Sequence, residues 1–327
     1  MSNSRAWLNR QNISKTKIGL QLVLTATLLM WLYWQMDPGL IWAELSQLTG
    51  KAVCATLALF IISILVATPR LKMLIKTASD TKNPTSGLLI RFNLIGFFFN
   101  TCLPGGVGGD VVKGWLLYKT GITGEQAIAA VTLDRVFGFF ILTVFITAGA
   151  PIFINISTNK YLNVLIAVMA MLPFLTVLSY ILGRWSLNHL KKIRRGKYGS
   201  FVRQILNITD RIICNYKILI VILLTSLVNQ MILIYIFYLI GSDLGVPLTL
   251  KQYFCAVPAA LLISMIPISL GGWGLREASF AGIIAVWGTS LEQAVLISLL
   301  YGFLQIIAAL LGLAVWLHYK LTVRGSY

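Results

Sequence analysis

Six apolar runs, at about 18–36, 51–69, 126–150, 161–183, 218–241 and 292–317, constrain this chain more than any other feature. Each is long enough to cross about 30 Å of hydrocarbon as a helix, which takes about 20 residues at 1.5 Å per residue. Composition agrees: 57% of the residues are hydrophobic and only 11% are charged, where a soluble domain carries about 25% charge. The mean hydropathy is +0.82. The ten-residue alternating segments of a membrane barrel are absent. These runs predict an all-α polytopic membrane protein.

The 27 basic and 10 acidic residues leave a net charge of +17. In a soluble chain that excess would point to nucleic acid; here it is read as cytoplasmic loops held inside by their Lys and Arg, so no nucleic-acid partner is expected. The first run follows Arg5, Arg10, Lys15 and Lys17 and is too long for a signal-peptide core, so it is read as an uncleaved span. The most basic segment, about 184–217, carries Arg184, Lys191, Lys192, Arg194, Arg195, Lys197, Arg203, Arg211 and Lys217. Its apolar positions Leu187, Leu190, Ile193, Phe201, Ile205 and Ile208 suit an amphipathic surface helix. Cys54, Cys102, Cys214 and Cys255 show no short pairing or metal spacing.

Two further apolar regions are broken by glycine-rich turns. One reads Leu103-Pro104-Gly105-Gly106-Val107-Gly108-Gly109-Asp110-Val111-Val112-Lys113; the other reads Ile266-Pro267-Ile268-Ser269-Leu270-Gly271-Gly272-Trp273-Gly274-Leu275-Arg276-Glu277. With the prolines aligned, Gly108-Gly109 falls on Gly271-Gly272 and Lys113 on Arg276. The apolar pieces around each turn are too short or too interrupted for comfortable spans, which predicts two re-entrant helical hairpins. Irregular backbone at membrane depth survives only inside protein or along a wet cavity. The second run is expected to end at Pro69-Arg70, with Arg70, Lys72, Lys76 and Lys82 in a basic loop.

About six spans and two hairpins place both termini and every strongly basic loop inside. The outside keeps Lys51, Lys160 and Lys251 against Asp37, Glu44, Asp243 and Glu292. Span, hairpin and span over about 51–150 (repeat A) then recur upside down over about 218–317 (repeat B), within a single membrane domain covering 1–327. Glu125-Gln126-Ala127-Ile128 and Glu292-Gln293-Ala294-Val295, each about 20–25 residues past its proline, add a second match in the same order. An inverted repeat is expected.

The glycine turns admit two readings. Small residues let helices approach closely; alternatively, half-helix N-termini, with their free N–H groups and positive dipole ends, face an anion. Lys113 and Arg276, one turn on, would add full charges suited to phosphate. Asp110, Lys113, Asp134, Arg135, Arg276 and Glu277 are too costly to face lipid and should pair inside, with Asp110 on Arg135 the favoured pairing. Enzyme signals are weak: the histidines are His189 and His318, and there is no H-E-x-x-H, no G-x-S-x-G and no P-loop. Asp110 and Asp134 as an aspartyl pair are opposed by the neighbouring Lys113 and Arg135.

Asn100-x-x-x-Pro104-Gly-Gly-x-Gly-Gly-Asp110, then Asp134-Arg135-x-x-Gly138, then Pro267-x-Ser269-x-Gly-Gly-x-Gly-x-Arg276-Glu277 resembles the lysylphosphatidylglycerol synthase transmembrane-region family over about 15–320. The resemblance implies a flippase-like domain of a bacterial inner membrane, here without the synthase half. The expected substrate-binding set is Asn100, Gly105, Gly106, Gly108, Gly109, Asp110, Lys113, Asp134, Arg135, Ser269, Gly271, Gly272, Arg276 and Glu277. The expected partners are lipids with anionic headgroups; the alternative function is a non-transporting membrane accessory subunit for a lipid-modifying or glycosylation enzyme, a cytoplasmic lipid-modifying enzyme then docking through the 184–217 helix. No cofactor or metal is expected.

Overall fold

A computed structural model describes residues 48–79, 84–103, 106–189, 197–266 and 268–324, together with 19, 21, 23–28, 30, 31, 33, 34, 39, 45 and 46. Every regular element among the described residues is helical. Five stretches are long and apolar enough to cross a membrane: Gly50–Ala78, Gly124–Ile156, Lys160–Ser186, Tyr216–Asp243 and Leu291–Leu321. They match five of the six expected spans. The described residues of the first expected span are helical.

We number the helices α1 (Gly50–Ala78), α2 (Ser86–Cys102), α3 (Gly108–Lys119), α4 (Gly124–Ile156), α5 (Lys160–Ala170), α6 (Leu172–His189), α7 (Lys197–Cys214), α8 (Tyr216–Asp243), α9 (Leu250–Ser264), α10 (Leu275–Ile284) and α11 (Leu291–Arg324). The apolar surface faces outward: Val164, Val168, Phe174, Leu178 and Ile181 on α5 and α6 are all exposed. In water this would be an aggregation surface; against lipid tails it is the expected one.

Two boundaries differ from the sequence expectation. The second span does not stop at Pro69, and the third does not stop before Pro151; both prolines lie inside helices, which run on to Ala78 and Ile156. A proline frees one carbonyl a turn earlier but leaves the helix intact when neighbours hold it. Past Pro69 the apolar spacing of Leu71, Leu74 and Ile75 continues, and all three are fully buried. The apolar face of α7 is likewise not free: Ile208 and Ile212 are buried in a cluster with Leu71, Phe92 and Leu116. Leu187, Leu190 and Ile193 lie where side chains are not described.

The glycine-rich regions form helix–turn–helix hairpins, α2 with α3 and α9 with α10. Their arms of 17, 12, 15 and 10 residues reach about 25, 18, 22 and 15 Å, all short of the hydrocarbon thickness. The packing pairs run in matched sets. α1 lies on α8; α2 lies on α11 as α9 lies on α4; and α3 meets α4 as α10 meets α11. Glycines sit at the second of these contacts: Gly312 of α11 faces Leu94 of α2, and Gly149 of α4 faces Cys255 of α9. The Glu-Gln-Ala repeats have a local cause. Thr123 and Ser290 cap α4 and α11, their hydroxyls accepting from the N–H of Gln126 and Gln293.

Lipid offers apolar helices no solvent-driven reason to associate, so close packing matters more here than in water. A Cβ on Gly109 would overlap the Gly96 carbonyl of the opposite hairpin arm, whereas one on Gly114 would meet open space. Gly109→Ala is therefore expected to lose about 1–3 kcal/mol of stability through overpacking. Gly114→Ala should be neutral or stabilising by about 0.5–1 kcal/mol. Thermal unfolding of the two purified variants in one detergent checks the contrast.

Candidate functional site

The two glycine turns meet. Thr101, at the end of α2, presents its carbonyl oxygen 3.6 Å from where Gly271 would carry a Cβ. Around this junction lies a cavity of about 430 Å³, walled by α1, α4, α8 and both hairpins. It sits between two apolar clusters, one holding Phe60, Phe237 and Tyr301 and the other Leu71, Phe92 and Leu116.

Five ionised side chains line it: Arg70, Asp110, Lys113, Asp134 and Arg135. Asp134 is held by the Arg70 Nε at 2.7 Å and by the Lys113 Nζ at 3.5 Å. Lys113 also reaches Asp110 at 3.2 Å. The expected pairing of Asp110 with Arg135 is present, and Arg135 also donates to the Gly106 carbonyl at 2.5 Å. Arg70 donates to the Ser226 hydroxyl of α8 at 3.0 Å. The network thus ties α1, α3, α4 and α8 together. Three cations face two carboxylates, so the cavity wall keeps a positive excess. Lys113 stands between Asp110 and Asp134, and its stem lies over Gly96.

Asn100 works across its hairpin rather than toward the cavity alone. Its Oδ1 accepts from the Gly109 N–H at 2.8 Å and its amide donates to Asp110 at 3.4 Å. One free N–H at the start of α3 is therefore already filled by the chain itself. The same holds for α10, where the Gly274 N–H donates to the Glu277 Oε2 at 2.5 Å. The positive excess of the side chains, not a bare helix N-terminus, is what this cavity offers an anion.

The expected site residues divide accordingly. Asn100, Gly106, Asp110, Lys113, Asp134, Arg135, Ser269, Gly271 and Gly272 line the cavity. Gly108 and Gly109 instead start α3 and pack against Leu103 and Gly96. Gly105, with Pro104 and Pro267, lies outside the described residues. The aligned glycine pairs also differ in backbone: Gly271 and Gly272 have φ of 59° and 82°, values a side chain would resist, while Gly108 and Gly109 are helical.

Arg276 and Glu277 are not in the cavity wall, which corrects the equivalence of Arg276 with Lys113. Arg276 bonds its sequence neighbour Glu277 at 2.6 Å and the Ser298 hydroxyl at 3.2 Å. Its guanidinium carbon lies 5.0 and 5.1 Å from the ring centres of Trp273 and Tyr301. Its charge is met within the hairpin by Glu277 and the Trp273 face, and it reaches α11 through the Ser298 hydroxyl and the Tyr301 face. Lys113 is followed by Gly114 and has no such neighbour. Sequence reasoning missed Arg70, Ser226 and Gln230. The first was assigned to a loop because of Pro69. The others belong to a polar stripe, Thr225-Ser226 and Asn229-Gln230, spaced one helical turn apart in an apolar span. Among the described residues no group of His, Cys, Asp and Glu stands as a metal-binding cluster.

Residues 18–312 match the family described as the lysylphosphatidylglycerol synthase TM region. The chain belongs to that family. No curated protein matches it. Membership covers both hairpins, the ionic network and every span through most of α11, so the cavity is part of the family's membrane domain and the protein is multi-pass.

Removing one partner of a buried ion pair strands the other charge, at about 3–5 kcal/mol. Arg70→Met is therefore expected to lower the thermal midpoint in detergent strongly. Adding Asp134→Asn should restore part of the loss, although Lys113 then loses one of its two carboxylates. A double variant less stable than Arg70→Met would mean that the pair is not the source of the stability.

Proposed function

We propose that this protein is a flippase or scramblase that carries an anionic phospholipid or lipid-linked headgroup across a bacterial inner membrane. The observation that carries this reading is the cavity at the meeting of the two turns, where Arg70, Lys113 and Arg135 face only Asp110 and Asp134. A headgroup phosphate supplies the missing negative charge, and charged groups inside a membrane domain commonly mark a transport path. A headgroup with a net positive charge fits the same wall less well.

The matched packing pairs support an inverted repeat of 51–150 and 218–317, in which one half moves against the other around a fixed central site. The sorting of basic loops supports cytoplasmic termini. With no phosphate-binding nucleotide loop in the sequence, movement is downhill or ion-coupled.

The test uses vesicles carrying the purified protein and a fluorescent anionic phospholipid, with an impermeant quencher outside. Wild-type protein is expected to accelerate exchange between leaflets. Lys113→Gln with Arg135→Gln should slow that exchange by about tenfold or more, the effect of losing a charge-assisted contact. Arg276 is left unchanged because its role lies in packing. Wild-type vesicles exchanging no faster than those with the double variant would end this reading.

A further inference from the structure

Away from the charged cavity, α8 borders a second recess, of about 610 Å³. Leu227, Met231 and Tyr235 of α8 line it and are 40–43% exposed. Leu59 of α1, Ile152 of α4 and Phe254 of α9 complete its walls. Two of the rings are braced from behind: Phe254 lies 4.9 Å from Phe145 and Tyr235 lies 5.8 Å from Tyr238, between ring centres. The recess is therefore shaped by the packing of four helices.

Its depth follows from helix geometry. Leu227 to Tyr235 covers about 12 Å of α8, less than the roughly 15 Å that one leaflet contributes to the hydrocarbon core. Leu59 lies about 14 Å from the start of α1 at Gly50, and Ile152 about 6 Å from the end of α4 at Ile156. α9 begins at Leu250. All four helices thus place the recess in one leaflet, at the end of the bundle away from the basic α7. At its rim stands Lys251, the one ionised side chain in the lining. Lys251 is exposed, and among the described residues no carboxylate pairs with it. Its stem can lie on the apolar wall while its ammonium reaches the interface.

We propose that this recess binds one acyl chain of a phospholipid from the leaflet opposite the basic loops, with the lipid's phosphate on the Lys251 ammonium. The site is separate from the headgroup cavity and does not rest on the transport reading. Water does not fill an apolar recess, and an empty one forfeits the dispersion contacts of its lining. A hydrocarbon chain restores those contacts, and the unpaired cation one leaflet's depth above selects a chain that carries an anion there. The volume falls within the usual small-ligand range of about 300–1,000 Å³. Because Lys251 and Phe254 belong to the second hairpin and Leu59 and Met231 to α1 and α8, the bound lipid bridges the hairpin to that helix pair.

The test uses full-length protein in a maltoside detergent with phosphatidylglycerol carrying a photoreactive diazirine at mid-chain. Diacylglycerol with the same chain is the comparison lipid, and the labelled peptides are located by mass spectrometry. Label should concentrate on residues 227–235 and the start of α9, well above the level on α5 and α6. Phosphatidylglycerol should label this segment about tenfold more efficiently than diacylglycerol, the effect of one charge-assisted hydrogen bond. Lys251→Gln should erase that preference, and Met231→Trp, which fills the recess, should remove labelling by both lipids. Lys113→Gln with Arg135→Gln should leave this labelling unchanged, which separates the recess from the central cavity. Lys251 is exposed, so its variant keeps the test open if Met231→Trp does not fold.

Label spread as densely over α5 and α6 overturns the proposal, since the recess then holds only exchanging lipid or detergent. A preference for phosphatidylglycerol that survives Lys251→Gln overturns it as well. Excess oleate that displaces the label as well as unlabelled phosphatidylglycerol does would make a free fatty acid the occupant and also overturn it. Loss of labelling in the Lys113 and Arg135 double variant would assign the label to the central cavity and end the claim of a separate site.

Discussion

Asp134 is the buried charge around which the arrangement is set. A carboxylate within a membrane-spanning helix is tolerated only when its charge is met and its oxygens are bonded. Arg70 and Lys113 meet it from two different helices, and Lys113 then draws in Asp110, which draws in Arg135. Each link fixes the position of another helix, so the first hairpin cannot close over the cavity without breaking an ion pair. These side chains satisfy one another along the cavity wall.

The second half of the molecule solves the same problem differently. Where the first hairpin holds its lysine among carboxylates at the cavity edge, the second holds Arg276 against Glu277, Ser298, Trp273 and Tyr301, away from it. Tyr301 nevertheless belongs to both places, lining the cavity on one side and facing Arg276 on the other. The cation of the first hairpin thus faces the cavity, and that of the second is packed between aromatic rings. The sequence alignment of the two turns hides this difference, because a single neighbouring residue, Glu277 against Gly114, decides which environment the cation enters.

The spans were legible because hydrophobic length is a local property, and the hairpins because Gly and Pro cluster where the apolar runs fall short. The pairing of Asp110 with Arg135 was legible because charges at membrane depth have few partners to choose from. What escaped was set by three-dimensional context. Pro69 looked like a helix end, yet Leu71, Leu74 and Ile75 carry the helical spacing onward and bring Arg70 to Asp134. Whether a glycine serves a turn or a packing contact also depends on its neighbour across space: Gly109 faces the Gly96 backbone, and Gly272 faces Ser264 with φ of 82°. That Asn100 and Glu277 each take up one N–H at a half-helix start could not be read from spacing alone.

The contact between α1 and α8 has a mechanical side. At one end the Thr49 N–H and hydroxyl donate to Asp243 at 2.7 and 2.8 Å. Some twenty residues along, Arg70 donates to Ser226. Two antiparallel rods pinned at both ends resist sliding past one another and behave as a single strut. The first hairpin is fastened to it twice, Asn93 donating to Thr68 at 3.1 Å and Lys72 to Ser86 at 2.8 Å, whereas the second is a pair of short arms joined by a turn with left-handed glycines at Gly271, Gly272 and Gly274. The stiffness of the molecule therefore runs along the strut and into the first hairpin, and its compliance lies in the second.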